Sequence, residues 1–312
     1  MNTIIKRKIK LKKVLITGAL GQDGIILSGI FQKKKFEVHA LIEKKRKKRI
    51  PKVKYNFNNL TSQKKIRNHL KKIKPNIIIH LASKNETYEK RKNDKNYTVN
   101  YLKNLKCTSN LLNSIIKVNL KTRLIFAGSS LMFKDTNKKV SEKTALKSND
   151  SYGNYKIDAH KMIMRMKKEK KIDASTAILF NHDSVFRNKK FLLPRLVKSF
   201  VNKDFKFIKD IYKLNVNGDF SHAEDICNGI YKLSITKKKI DMLILSSGKR
   251  FYINKIISYL EKYFQYNIKK KYSDKNLNHR IIGSNKLAKK LINYKSVKSP
   301  INACKEILKN YL

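Results

Sequence analysis

Acidic residues are scarce in this chain: 22 Asp and Glu stand against 74 Lys and Arg, a formal charge of +52 over 312 residues. A nucleic-acid binder is the first class such a balance suggests. However, the lysines run along the whole chain beside abundant Asn and Ile. That distribution reads as a chain-wide residue bias rather than a patch shaped for phosphates, and charge alone supports only nonspecific attraction. The expectation is no specific nucleic-acid partner. Cysteine is nearly lacking too. Cys107, Cys227 and Cys304 are far apart and odd in number, which excludes a disulfide framework and zinc-ligand spacing and suits reduced thiols in a cytoplasm. Long apolar runs are absent, so no membrane span is expected. The basic start MNTIIKRKIKLKK leads into no secretory apolar stretch. Neither a metal site nor an internal repeat is expected.

What is present is a β-α rhythm. Hydrophobic residues make up 41% of the chain, enough for a sizeable core. Strands are predicted over residues 13–17, 36–42, 53–57, 76–81, 123–127 and 174–180. Helices are predicted over 25–31, 62–74, 100–117 and 151–169. Apolar strands alternating with helices are the pattern of a parallel sheet buried on both faces. After Asn181 the rhythm breaks, with helices predicted over 189–201, 225–233, 254–263 and 284–291 and a short strand over 242–245. The fold expected is therefore α/β: a Rossmann-like doubly wound parallel sheet over residues 1–180, then a smaller C-terminal lobe over 181–312 that binds substrate and returns some elements to the first domain.

Residues 17–24 read TGALGQDG between a strand and a helix. Gly18, Gly21 and Gly24 let the backbone turn tightly and approach a pyrophosphate, whose charge then sits at a helix N-terminus. At the end of the second strand an acid favours NAD and a base favours NADP. Here Glu43 is followed by Lys44, Lys45 and Arg46, so the signals conflict, with a slight lean to NADP. Tyr152 and Lys156 have the YxxxK spacing that puts both on one helix face. A lysine ammonium beside a phenol lets the phenol act as general base toward a sugar hydroxyl. Tyr88, Tyr266 and Tyr294 share the spacing. Tyr152 is set apart by opening a helix just downstream of a strand ending in Ser129 and Ser130.

These residues resemble an extended short-chain dehydrogenase/reductase, and most of all the GDP-mannose 4,6-dehydratases. TGALGQDG and VHALIEKK are similar to that family's cofactor loop and second strand. ILFNHDSVFRNKKFLLPRLV (residues 178–197) is similar to its LFNHESPRRG signature, and GDFSHAEDI (218–226) to RDWGHAxDY. LSSGKRFYINKII (245–257) is a weaker match. The resemblance implies an enzyme that modifies a nucleotide sugar, a GDP-hexose, with NADP or NAD, as a homo-oligomer. It implies that Ser129, Tyr152 and Lys156 are catalytic. Gly18, Gly21, Gln22, Asp23, Gly24, Glu43, Lys44, Asn59, Leu60, Leu81, Ala82, Ser83, Tyr97, Lys156, His182 and Arg187 would hold the cofactor. Ser130, Asn181 and Arg195 would face the sugar nucleotide. His182 and His222, each taken singly, read equally well as buried structural histidines.

One position departs from the pattern. Where the family reads ASTSELYG, this chain reads AGSSLMFK, so Leu131 stands in place of the glutamate. That glutamate removes the proton on carbon 5 after carbon 4 is oxidised. Leucine cannot take a proton, and such groups contribute about 10²–10⁴-fold. Three readings stay open: a dehydratase using another acid, a 4-reductase or epimerase, and a cofactor-binding protein of little activity. Asp135 and Glu142 are the acids nearest in sequence. Gly218, and Asp274 with Lys275, depart from family positions that help hold the nucleotide.

Overall fold

The computed structural model describes residues 11–43, 49–57, 59–85, 97–136, 138–269 and 281–311. Seven strands make one parallel sheet: β1 (Lys13–Thr17), β2 (Glu37–Ile42), β3 (Val53–Phe57), β4 (Ile77–His80), β5 (Arg123–Ala127), β7 (Asp173–Leu179) and β10 (Met242–Leu245), in the order β10-β7-β5-β4-β1-β2-β3. All six pairings are parallel. The order reverses direction at β1, so the crevice for a ligand lies beyond the C-terminal ends of β1 and β4. β6 (Lys139–Val140) pairs with β12 (Ile282–Gly283) in a separate ribbon.

Both sheet faces are covered. Val14 and Ile16 point to a core completed by α1 (Gln22–Lys33) and α7 (Ala223–Ile235), through Leu27, Phe31, Ile226 and Ile230. Leu15, between them in sequence, points the other way. It shares a second core with Ile66 of α2 (Gln63–Ile73), Leu111 of α3 (Tyr97–Lys117) and Tyr155 of α4 (Ser151–Lys168). This period of two is why strands sandwiched between helices read as unbroken apolar runs.

The remaining elements gather on β8 (Asn181–Asp183), β9 (Asn217–His222) and β11 (Arg250–Tyr252), a three-stranded sheet in the order β11-β9-β8. Around it pack α5 (Leu192–Val201), α6 (Phe205–Lys213), α8 (Asn254–Phe264) and α10 (Pro300–Leu308), with a core that includes Leu196, Phe200, Ile208, Ile257 and Cys304. α9 (Lys286–Ile292) instead packs on the main-sheet core through Ala288 and Ile292.

The second half departs most from the sequence expectation. α6 and α10 were not predicted, although each carries a start signal: the Asp204 side chain accepts from Phe207 N at 3.1 Å, and Ser299 precedes Pro300. Residues 189–191 are not helical. The helix starts after Phe191, which places Pro194 in the first turn, where its missing N–H has no intrahelical partner to lose.

Candidate active site

The glycine turn is built by steric exclusion. Gly18 has φ +71°, and a Cβ there would lie 2.9 Å from Ala82 N. A Cβ on Gly24 would lie 2.4 Å from the Ala19 Cα. Gly21 caps α1 without any side-chain hydrogen bond, so the first-turn N–H groups are not covered by a capping side chain. A tight turn, a close approach to the β4 loop and a helix start of this kind fit the pyrophosphate of a dinucleotide.

Asp23 and Gln22, in the first turn of α1, tie this loop to β8. His182 Nε2 lies 3.0 Å from Asp23 Oδ1, and His182 Nδ1 lies 2.5 Å from the Phe180 carbonyl oxygen. Both partners are acceptors, a setting that favours the protonated imidazole. Burial opposes that charge, but the Asp23 carboxylate outweighs it and holds His182 above the usual histidine range. Burial likewise opposes ionisation of Asp23, yet the charges of His182 and Arg187 pull its carboxyl down to about 2. Gln22 donates to the His182 carbonyl at 3.2 Å and accepts from Ser184 Oγ at 3.0 Å. Arg187 pairs with Asp183 at 3.2 Å and stacks over Phe191 at 3.8 Å.

Ser129 follows β5, and its Oγ accepts from Leu131 N at 3.2 Å. Ser130 is buried in the short 3₁₀ turn that follows. The Asp150 side chain caps α4, accepting from Tyr152 N at 2.9 Å and Gly153 N at 3.1 Å. Tyr152 therefore sits in the first turn, and its hydroxyl is 3.1 Å from Ser83 Oγ. One turn on, Lys156 is only 1% exposed. Its Nζ donates to the Ala127 carbonyl at 2.6 Å and lies over the rings of Phe126, Tyr155 and Tyr152 at 4.6, 5.1 and 5.2 Å. Burial lowers its pKa to about 7. A chain of contacts thus runs from the glycine turn through Ala82 and Ser83 to Tyr152, Lys156 and the end of β5.

Gly153 also belongs to the candidate site, although no motif in the sequence marks it. A Cβ there would fall 2.2 Å from the Leu131 carbonyl oxygen and 2.0 Å from Ser148 Oγ. The glycine beside the candidate tyrosine is what lets the Ser129–Leu131 turn seat against α4.

The other expected site residues are more scattered. Asn59 is exposed and Leu60 buried, with the Leu60 carbonyl accepting from Asn110 at 3.1 Å. Leu81 and Ala82 are half-buried, and Ala82 N donates to Thr17 Oγ1 at 3.1 Å. Glu43 is exposed just past β2. Lys44, Asp274 and Lys275 lie outside the described residues, as does the side chain of Tyr97, whose backbone opens α3. Asn181 begins β8. Arg195, on α5, stacks over Phe207 at 4.0 Å.

His222 takes a structural place. It caps α7 through Glu224 N at 3.2 Å and meets Glu306 of α10 at 3.0 Å. Lys298 bridges Glu224 and Glu306 at 2.6 and 3.4 Å. Asp219 is also structural, receiving Ser247 N, Ser247 Oγ, Gly248 N and Gly283 N at 2.6–3.2 Å. Among the described residues no cluster of His, Cys, Asp or Glu could hold a metal ion, and no helix is long and apolar enough to cross a membrane.

A Rossmann-like sheet ending in a glycine turn, with Ser129, Tyr152 and Lys156 beyond neighbouring strands, defines the class of extended short-chain dehydrogenases/reductases. The family model for GDP-mannose 4,6 dehydratase matches residues 15–299, and the chain belongs to that family of enzymes. It is 30% identical to GDP-6-deoxy-D-talose 4-dehydrogenase of Aggregatibacter actinomycetemcomitans over 71% of this chain and 69% of that one. It is 22% identical to GDP-mannose 4,6-dehydratase of Vibrio cholerae over 80% and 72%. The fold is similar to UDP-glucose 4-epimerase of Brucella ovis, with a TM-score of 0.82 at 14% identity, covering 96% of this chain and 98% of that one.

Proposed function

We propose that this chain is a nicotinamide-dependent oxidoreductase acting at carbon 4 of a nucleotide sugar, a GDP-hexose, without the elimination of water. The observation that carries this reading is Leu131. It occupies the place of the proton-abstracting glutamate two residues after Ser129. Glu142 Oε1 is engaged by Ile244 N at 2.9 Å, bracing β10, and Asp135 is exposed. The relative named as a 4-dehydrogenase supports the same reading.

When bound, a nicotinamide dinucleotide supplies the hydride acceptor. Tyr152 takes the sugar hydroxyl proton as the hydride leaves carbon 4, and returns it in the reverse direction. Lys156 presents its ammonium under the Tyr152 ring and favours the phenolate. Ser129 offers its hydroxyl to the sugar oxygen. Gly18, Gly21 and Gly24 cradle the pyrophosphate, and NADP or NAD remain alternatives because Glu43 and the basic run after it pull in opposite directions. The 4,6-dehydratase reading is favoured by the family match and stands second, needing an acid other than Glu142.

Mass spectrometry of GDP-mannose incubated with the protein and NADP or NAD separates the two. The expected result is no loss of water, the mass falling only by the two hydrogens of carbon 4 oxidation wherever a 4-keto product accumulates, together with reduction of a 4-keto sugar nucleotide by the same protein. Loss of one water from GDP-mannose would overturn the reading. Leu131→Glu is expected to bring that water loss in.

A further inference from the structure

The Ser83 hydroxyl is in direct contact with the phenol of Tyr152, at 3.1 Å across 69 residues of sequence. The contact is held from both sides. Ala82 N, before Ser83, donates to Thr17 Oγ1 at 3.1 Å. Thr17 Oγ1 meets His80 Nδ1 at 2.8 Å, and His80 Nε2 meets Thr108 Oγ1 at 3.1 Å. Thr108 donates to the Asn104 carbonyl at 3.1 Å. The Asn104 side chain then grips the residue after Ser83, accepting from Lys84 N at 2.8 Å and donating to the Lys84 carbonyl at 3.0 Å. Thr17, His80, Asn104 and Thr108 are all buried, so a closed polar ring anchors the backbone on each side of Ser83. On the other side Tyr152 is set by Asp150 and the helix it caps. Two pre-set hydroxyls therefore meet, rather than two surface groups in passing.

The polarity of this contact follows from the chemistry. A phenolate has no proton to donate, so once Tyr152 has lost its proton the Ser83 hydroxyl is the donor. A hydrogen bond to the charged form favours that form. We propose that Ser83 is a positioning residue for proton transfer, donating to the Tyr152 oxygen and stabilising the phenolate that takes the sugar proton. Ser83 keeps its own proton throughout: the sugar hydroxyl proton goes to Tyr152, and the hydride pair goes to the nicotinamide. This goes beyond the cofactor contact that the family resemblance implies for residue 83, and it rests on the reading of Tyr152 as the proton-moving group.

The test is a tyrosinate absorbance titration of the substrate-free protein, with the Tyr152 contribution isolated by subtracting Tyr152→Phe in each background. Ser83→Ala is expected to move the Tyr152 transition up by about one pH unit, a typical size for a lost hydrogen bond to a charged group. Ser83→Thr should restore it. An unmoved transition in Ser83→Ala overturns the proposal, as does a large loss of dinucleotide affinity without a shift. If Ser83→Ala does not fold, Ser83→Cys is expected to give a smaller upward shift, since a thiol is a weaker donor, and no shift there overturns the proposal equally. No substrate enters the titration, so a wrong sugar assignment would appear only in turnover assays.

Discussion

Lys156 shows how one residue can be costly and useful together. Its ammonium sits among three aromatic rings, donates to the Ala127 carbonyl and is almost wholly buried, and burial brings its pKa down from 10.5 to about 7. A lysine depressed in the fold penalises folding fully below pH 7, and the penalty fades as pH rises toward the unfolded value. Lys156→Met is therefore expected to melt higher than the native chain at pH 6, with a smaller margin at pH 9, while hydride transfer is lost. Thermal melts at the two pH values check this. A lower melting temperature at both, by the same margin, would mean that the carbonyl and ring contacts outweigh burial. The Asp23–His182 pair follows the opposite sign: His182 is raised and Asp23 lowered. Its contribution is fully present between the unfolded carboxylate and histidine values, and is lost in strong acid and in base.

At the scale of elements, the site depends on how closely α4 and the turn after β5 approach. Gly153 is the point of contact, with the Leu131 carbonyl and Ser148 where a methyl would go. Gly153→Ala forces that turn away from Tyr152. Overpacking of this kind typically costs about 1–3 kcal/mol. The expected outcome is a folded protein that binds dinucleotide nearly as before but turns over at least about tenfold more slowly. Comparing equilibrium dialysis with steady-state rates checks it. Unchanged turnover would show that the turn and the helix need not touch.

At the scale of the molecule, the charge is the dominant feature. Many of the described acids are already committed to internal partners: Glu37 to Lys54 and His39, Asp173 to Arg123, and Glu224 and Glu306 to Lys298. The surplus of lysine attracts polyanions in general. Binding to unrelated DNA sequences is expected to be measurable at low salt and to fall steeply by about 0.2 M, as counterion release requires. Dinucleotide binding, held partly by backbone groups and helix geometry, should persist over the same range. Filter binding and fluorescence titration across a salt series check it. Sequence-selective DNA binding that survives the higher salt would instead favour a nucleic-acid function.

Sequence periodicity determined the central sheet of this protein. Strands with both faces buried must be apolar throughout, so β1, β5 and β10 were legible to their ends, the glycine turn declared itself locally, and the YxxxK spacing of Tyr152 was singled out by its place after β5. The second half was less legible because its strands are short and polar-sided, and because α6 and α10 acquire their reason to be helical from the lobe core they complete. Only the tertiary structure decided that Glu142 braces β10, that His222 clamps the C-terminal helix, and that Ser83 meets Tyr152. Each of these is a contact between residues 69 to 102 apart in sequence, where residue type states what a side chain can bond to and folding alone states which partner it reaches.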